Sequence, residues 1–336
     1  MSALPTCDYF DAGDVSLDSG EVLANAKIAY ITFGQLNTER NNAIIMPTHF
    51  GGTHEQSLYL TGPGKALDPS KYFIVIVNLL GNGVSSSPSH GLGVEFPKVS
   101  ICDNVRLQHR LLTEKFGVTS LALAVGHSMG AVQSYHWAAM YPDFVKRVAP
   151  ICGAARISTH NFVFLEGMRG ILQADAAWKG GRYDAQPING LATMARAWAA
   201  WPPSPNFYRY AYYERLGYGS VEEFLAQCWE GIYTTMDANN VLTQIATWQS
   251  ADITQCSPNY TGFEQALQSI TAKVLVMPSR TDAYFPPEDS QIEVTHLPNG
   301  RLQVIESLWG HWAGSDRNPD DTAFLDQQIK TLLDSK

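Results

Sequence analysis

The chain has 336 residues, 45% of them hydrophobic and 11% aromatic, which is enough for a large core in one α/β domain or in two smaller ones. A net charge of −9 without any basic stripe argues against nucleic acid or an anionic membrane surface as a partner, because both select cationic faces. Cys7, Cys102, Cys152, Cys228 and Cys256 are scattered and form no CxxC pair, and no basic-then-apolar leader opens the chain, so a reducing, cytoplasmic setting is expected.

The first elements are strands. VSLDSGEVL turns at Asp18-Ser19-Gly20 and predicts a hairpin, and residues 26–34 continue as a strand. NAIIMPTHFGG is a buried strand running into a glycine loop, and KYFIVIVNLLGNG repeats that plan. Its apolar run over residues 72–78 suits a parallel strand covered on both faces. The longest apolar stretch, residues 72–80, is far too short to span a bilayer. Ile101, Val105, Leu111, Leu112 and Phe116 recur at helical spacing. A strand over residues 121–125, a corner at Ser128, a helix to about Met140 and a strand ending near Cys152 follow.

The alternation of strand and helix lapses over residues 157–263. That segment holds Trp178, Trp198, Trp201, Trp229 and Trp248, five of the eight tryptophans, and is expected to be a helical lid, broken at WPPSP. Strands return at KVLVMP (273–278) and RLQVIES (301–307), and a helix over about 321–333 closes the chain. The expected fold is a mostly parallel sheet flanked by helices, with residues 1–156 and 264–336 as its core.

Gly126-His127-Ser128-Met129-Gly130 is a G-x-S-x-G sequence set between strand and helix. A serine there could simply cap the helix. The strand–turn–helix context points instead to a nucleophile raised at the carboxyl edge of a sheet, with the Met129 amide facing a developing oxyanion. Such a serine needs a base, and the base needs an acid that orients it. Asp282 follows the strand at 273–278, and His311 follows the strand at 301–307, so the order is Ser, Asp, His. Glu306, Asp316, Glu288 and Asp289 are the rival carboxylates. A second oxyanion amide is expected from THFGG, at Phe50 or alternatively Gly51. His49 and His54 read as structural or rim residues, and His127 as a packing residue. No metal-ligand spacing is visible, and this chemistry requires no metal or other cofactor.

Several stretches together resemble the homoserine O-acetyltransferase group of α/β-hydrolases. They are GPGKALDPSKYFIVIVNLLGNGVSSSPS (62–89), FPKVSICDNVRLQHRLL (96–112), GHSMGAVQSYHWAAMYPDFVKRV and DANN (237–240), and the resemblance runs over residues 10–330. It implies the α/β-hydrolase fold, a helical lid, the triad Ser128, Asp282 and His311, a ping-pong acyl-enzyme route and a homodimer. Two departures bear on the substrate. The family's acyltransferases follow the histidine with an aspartate for the substrate ammonium, where this chain has Trp312. Their lid carries a Phe-Gly-Arg stretch for the substrate carboxylate, and MARAWAAWPPSPNFYR offers no match. Arg169 is the remaining candidate anchor, with a lid ion pair as its other reading. An unpartnered buried charge costs several kcal/mol, on the order of 3–5. The expectation is therefore a serine carboxylesterase for small neutral esters, with an acetyl-CoA-dependent O-acyltransferase as the alternative.

Overall fold

The computed structural model describes residues 6–335. Its eight strands are β1 (Asp8–Ser16), β2 (Val22–Phe33), β3 (Ala43–Pro47), β4 (Phe73–Val77), β5 (Leu121–His127), β6 (Arg147–Ile151), β7 (Lys273–Val276) and β8 (Gly300–Leu302). They form one sheet in the order β1-β2-β4-β3-β5-β6-β7-β8. β2 pairs antiparallel with both β1 and β4, and the remaining pairs are parallel. Every residue of β3, β4 and β5 is buried. This is why their sequences are continuous apolar runs without the alternation of a half-exposed strand.

Four helices pack around this sheet: α1 (Ile101–Arg110), α2 (Met129–Met140), α6 (Pro287–His296) and α7 (Pro319–Asp334). α1 starts with a capping box, in which Ser100 and Asp103 each accept the other's backbone N–H. α2 packs on β3, β5 and β6 and is buried from Met129 to Ala139, so it shows no polar face. Between β6 and β7 the described residues hold helices and no strand. The longest are α3 (Thr159–Gln173), α4 (Ile188–Trp198) and α5 (Ala238–Gln249). α4 stops at Trp198, four residues before Pro202 of the Pro202-Pro203 pair, and the next helix begins at Pro205.

The strand expected over residues 301–307 is shorter. After Leu302 the chain still runs beside β7, with Gln303 N donating to Val276 O at 2.9 Å and Ile305 N to Pro278 O at 2.8 Å. Only a single bridge, Ser279 with Ile305, continues the pairing. Pro278 has no N–H to return to the ladder, so regular pairing lapses there. The helix read over residues 101–116 likewise ends as α1 at Arg110 and widens into a π-helical turn, Leu111–Lys115. Among the described residues, no helix is long and apolar enough to cross a membrane.

Candidate active site

Ser128 sits between β5 and α2 with φ 57° and ψ −125°. That backbone state is costly for a residue with a Cβ, about 1–3 kcal/mol. The flanking glycines are there for space. A Cβ on Gly126 would lie 2.3 Å from the Gly130 carbonyl carbon, and one on Gly130 would lie 2.4 Å from the Pro47 oxygen. The sharp turn is possible only because strand β3 and helix α2 can approach this closely. Ser128 N donates to Ile151 O at 3.0 Å, which ties the turn to β6. The hydroxyl makes no capping bond to α2 and faces a cavity instead.

Asp282 and His311 come from the loops after β7 and β8. His311 Nδ1 lies 2.7 Å from Asp282 Oδ2. A carboxylate can only accept, so Nδ1 carries the hydrogen and Nε2 keeps its lone pair. The other carboxylate oxygen accepts from Tyr284 N at 2.8 Å and Phe285 N at 3.2 Å, which fixes the group in place. Gly310 N donates to Thr281 Oγ1 at 3.0 Å, and His311 N donates to Pro202 O at 2.7 Å. The proline turn after α4 therefore helps to seat the imidazole. The rival carboxylates are elsewhere: Glu306 pairs with Arg280 and is exposed, and Asp316 is exposed. Ser128 and His311 line the same cavity without a hydrogen bond between them; such catalytic hydrogen bonds often tighten only in the reacting complex.

Of the two candidate loop amides, Gly51 N is engaged, donating to Gln244 Oε1 at 2.8 Å. The Phe50 and Met129 amides have no protein acceptor among the described residues. Gln244 belongs to α5, and its Nε2 also donates to Gly81 O at 3.2 Å. The DANN stretch explains how α5 is held over the loop. Asp237 caps it by accepting from Asn240 N at 3.0 Å, and it also takes Tyr183 Oη and Gln186 Nε2. Asn240 in turn binds Ser89 through both its oxygen and its nitrogen.

The cavity beside Ser128 measures about 280 Å³. Its wall is aromatic, with Phe50, Trp198, Trp229, Trp248, Tyr284 and Trp312 contributing. Trp312 stacks on Trp229 at 5.5 Å between ring centres, and the Arg317 guanidinium lies 3.9 Å over the Trp312 ring. Among the described residues, no aspartate or glutamate lines the space, and Arg317 is its one Lys or Arg. Arg317 was missed in the sequence, although it stands only six residues after His311 on the same turn. Arg169 is a correction. It lies outside the lining, pairs with Glu166 at 3.4 Å and bonds Gln249, because its position on α3 directs it along the helix surface.

Two further imidazoles support the site in neutral form. His127 Nε2 donates to the His311 carbonyl at 3.1 Å, so its ring packs against that imidazole and holds its backbone. Burial first, and then the neighbouring His311 and His49, push the His127 pKa well below its usual value. Burial likewise lowers that of His49 to about 4, helped by His311 and Arg317. His54 is bound to Asn78, Nδ1 to Nδ2, at 3.0 Å. The arrangement thus offers a strained hydroxyl, an oriented imidazole, a fixed carboxylate and two free amides around a small apolar space. That is the chemistry of acyl transfer through a covalent intermediate.

Comparisons with known proteins bear on the fold and the activity. Residues 45–317 match the family model described as the alpha/beta hydrolase fold. The chain is 38% identical to an ethyl acetate hydrolase of Pseudomonas veronii, with 98% of this chain and 95% of that protein covered. It is 32% identical to a homoserine O-acetyltransferase of Nostoc punctiforme, covering 88% of each. The solved acetyl esterase MekB superimposes with a TM-score of 0.95 at 37% identity, over 98% of this chain and 97% of that one.

Proposed function

The chain belongs to the α/β-hydrolase family, in the group that joins acetyl esterases to homoserine O-acetyltransferases, and from that premise we propose that it is a serine carboxylesterase for small neutral, acetate-type esters. The observation that carries the choice is the cavity. At about 280 Å³ it falls just below the range of roughly 300–1,000 Å³ for drug-sized ligands. An amino-acid ammonium would find no carboxylate in its wall, at a cost of several kcal/mol, on the order of 3–5. An ethyl or similar ester has no charge to strand.

In this reading Ser128 Oγ attacks the ester carbonyl as His311 Nε2 takes its proton. Asp282 holds the imidazole in the tautomer that allows this and stabilises the imidazolium. The amides of Phe50 and Met129 receive the oxyanion, and His311 then protonates the departing alcohol. Water, deprotonated by the same nitrogen, attacks the acyl-serine and releases the acid. Trp312 shapes the acyl or alcohol side of the space. Residues 157–263 act as the cap over a core of 1–156 and 264–336, with α5 bracing the oxyanion loop. A homodimer and a cytoplasmic location complete the proposal, the latter supported by five cysteines that are all unpaired.

Arg317 favours a second reading, acyl transfer from acetyl-CoA to an alcohol bearing a carboxylate, because it supplies one of the two charge partners such an acceptor needs. The test of the nucleophile is labelling with a serine-directed fluorophosphonate. Wild type is modified at Ser128 and loses esterase activity. Ser128→Ala is inert to the reagent and to esters while keeping the wild-type melting temperature. Undiminished turnover by that variant would remove the mechanism.

A further inference from the structure

Away from the Ser128 cavity, three residues distant in sequence meet between α1, α2 and the short 3-10 helix Ile253–Cys256. They are Cys102, His136 and Cys256, and one ligand-capable atom of each lies within 4.8 Å of the other two. None of them lines the cavity. Cys102 and His136 are buried, whereas Cys256 is partly exposed and gives the cluster a way in from solvent.

The geometry within the cluster distinguishes its possible uses. The two sulfurs are 3.6 Å apart. A disulfide would require about 2.05 Å. Two thiolates on a tetrahedral zinc ion, each about 2.3 Å from the metal, stand about 3.8 Å apart, close to the observed spacing. The imidazole is also oriented for a ligand. His136 Nδ1 is 2.8 Å from the Val132 carbonyl, which can only accept, so this nitrogen carries a hydrogen and Nε2 is the one left for an ion; the Asp252 backbone carbonyl also reaches the ring, and an ion on Nε2 would replace that contact. Metal-binding histidines are commonly held in this manner, one nitrogen on a carbonyl and the other on the ion.

We propose that Cys102, Cys256 and His136 form a binding site for a thiophilic divalent cation, Zn²⁺, held by two thiolates and one imidazole. The fourth position is open to water. Binding releases the two thiol protons to solvent, forms two S–Zn bonds and one N–Zn bond, and involves no redox step. Two thiolates neutralise the ion, so the filled site carries no net charge into the core. The ion would tie the helix that begins at Ser128 to α1 and to the segment that returns from residues 157–251, so its role is structural. Scattered at positions 102, 136 and 256, the ligands form no spacing motif, and only the fold assembles them.

The test uses the full chain, stripped with a chelator and desalted, then titrated with Zn²⁺ and in parallel with Co²⁺. The expected result is one equivalent bound, a thiolate-to-cobalt charge-transfer absorption, and a melting temperature that rises with Zn²⁺ concentration. All three are lost in Cys256→Ser, whose part-exposed position lets it fold and keep its basal esterase turnover. A zinc ion on the active-site imidazoles would inhibit both proteins equally and is thereby separated from this site. The proposal is overturned if no saturable thiolate–cobalt band appears, or if Cys256→Ser retains it. It also fails if the protein binds no metal and peroxide instead converts the pair to a disulfide, two hydrogens lighter by mass.

Discussion

Replacing Asp282 by asparagine changes three hydrogen-bond acceptances at once. In the wild type Oδ1 serves the amides of Tyr284 and Phe285 at 2.8 and 3.2 Å, and Oδ2 serves His311 Nδ1 at 2.7 Å. Asparagine has one oxygen. If that oxygen turned to His311, the NH₂ would face two buried backbone donors, and leaving both unsatisfied costs about 1–3 kcal/mol each. The favoured arrangement keeps the oxygen on the two amides and turns NH₂ toward Nδ1. That nitrogen must then accept, the ring hydrogen moves to Nε2, and the lone pair that would take the Ser128 proton is gone. The expected loss in kcat is about 10⁴-fold, or ~5.4 kcal/mol at 1.36 kcal/mol per decade. The melting temperature should stay within a few degrees, because the turn keeps both amide bonds. Steady-state hydrolysis of p-nitrophenyl acetate measures the first quantity and scanning calorimetry the second. A folded Asp282→Asn protein with activity within tenfold of wild type would mean that this carboxylate only caps its turn.

Three further outcomes follow from the same geometry. Gly126→Ala and Gly130→Ala should each destabilise by about 1–3 kcal/mol in urea titrations, because each new methyl meets backbone atoms that cannot retreat; wild-type midpoints would contradict the steric account of the elbow. Trp312→Ala should cost about 3–5 kcal/mol of stability and shift the ratio of kcat/KM toward longer acyl esters, since the ring is buried and forms the cavity wall; an unchanged acetate-to-butyrate ratio would place Trp312 outside the substrate's reach. Glu293 supplies a pH effect. Burial raises its pKa to about 7, against the pull of the Ala155 amide, Tyr135 and Arg156, while Asp289 adds to the rise. The folded state therefore holds this proton more tightly than the unfolded chain, and the stability it contributes is lost as pH rises from about 4.5 to about 7. The melting temperature of wild type should fall relative to Glu293→Gln across that interval, and a constant difference would show that the carboxyl is not protonated in the fold.

The parts of this architecture that could be read in the sequence are those governed by local rules. Runs such as Phe73–Val77 are apolar at every position because both faces of the sheet are covered, and no tertiary detail is needed to see them. The serine corner was equally readable, since Gly126 and Gly130 answer a steric need within five residues. What escaped depends on long-range packing. Arg317 reaches the cavity because the turn after His311 folds back over Trp312, and nothing in its neighbours announces that. Gln244, some 190 residues from the amide it accepts, braces the loop at Gly51 through the fold alone. Arg169 carries two readings in the sequence, a substrate anchor or a lid ion pair, and the ion pair is the one present, with a glutamate three residues earlier on its own helix. The strand expected at 301–307 is shorter in the fold because the proline that interrupts its pairing, Pro278, lies just past the end of the neighbouring strand β7.

The measurement that bears most directly on the central claim is the fate of the acyl group. Purified protein is incubated with ethyl acetate and, separately, with acetyl-CoA and L-homoserine, and free acetate and O-acetylhomoserine are quantified together. The account predicts acetate from the ester, abolished by Ser128→Ala, and no O-acetylhomoserine above background. O-acetylhomoserine as the main product would contradict it, and would show that Arg317 anchors a charged acceptor in a cavity assigned here to neutral esters.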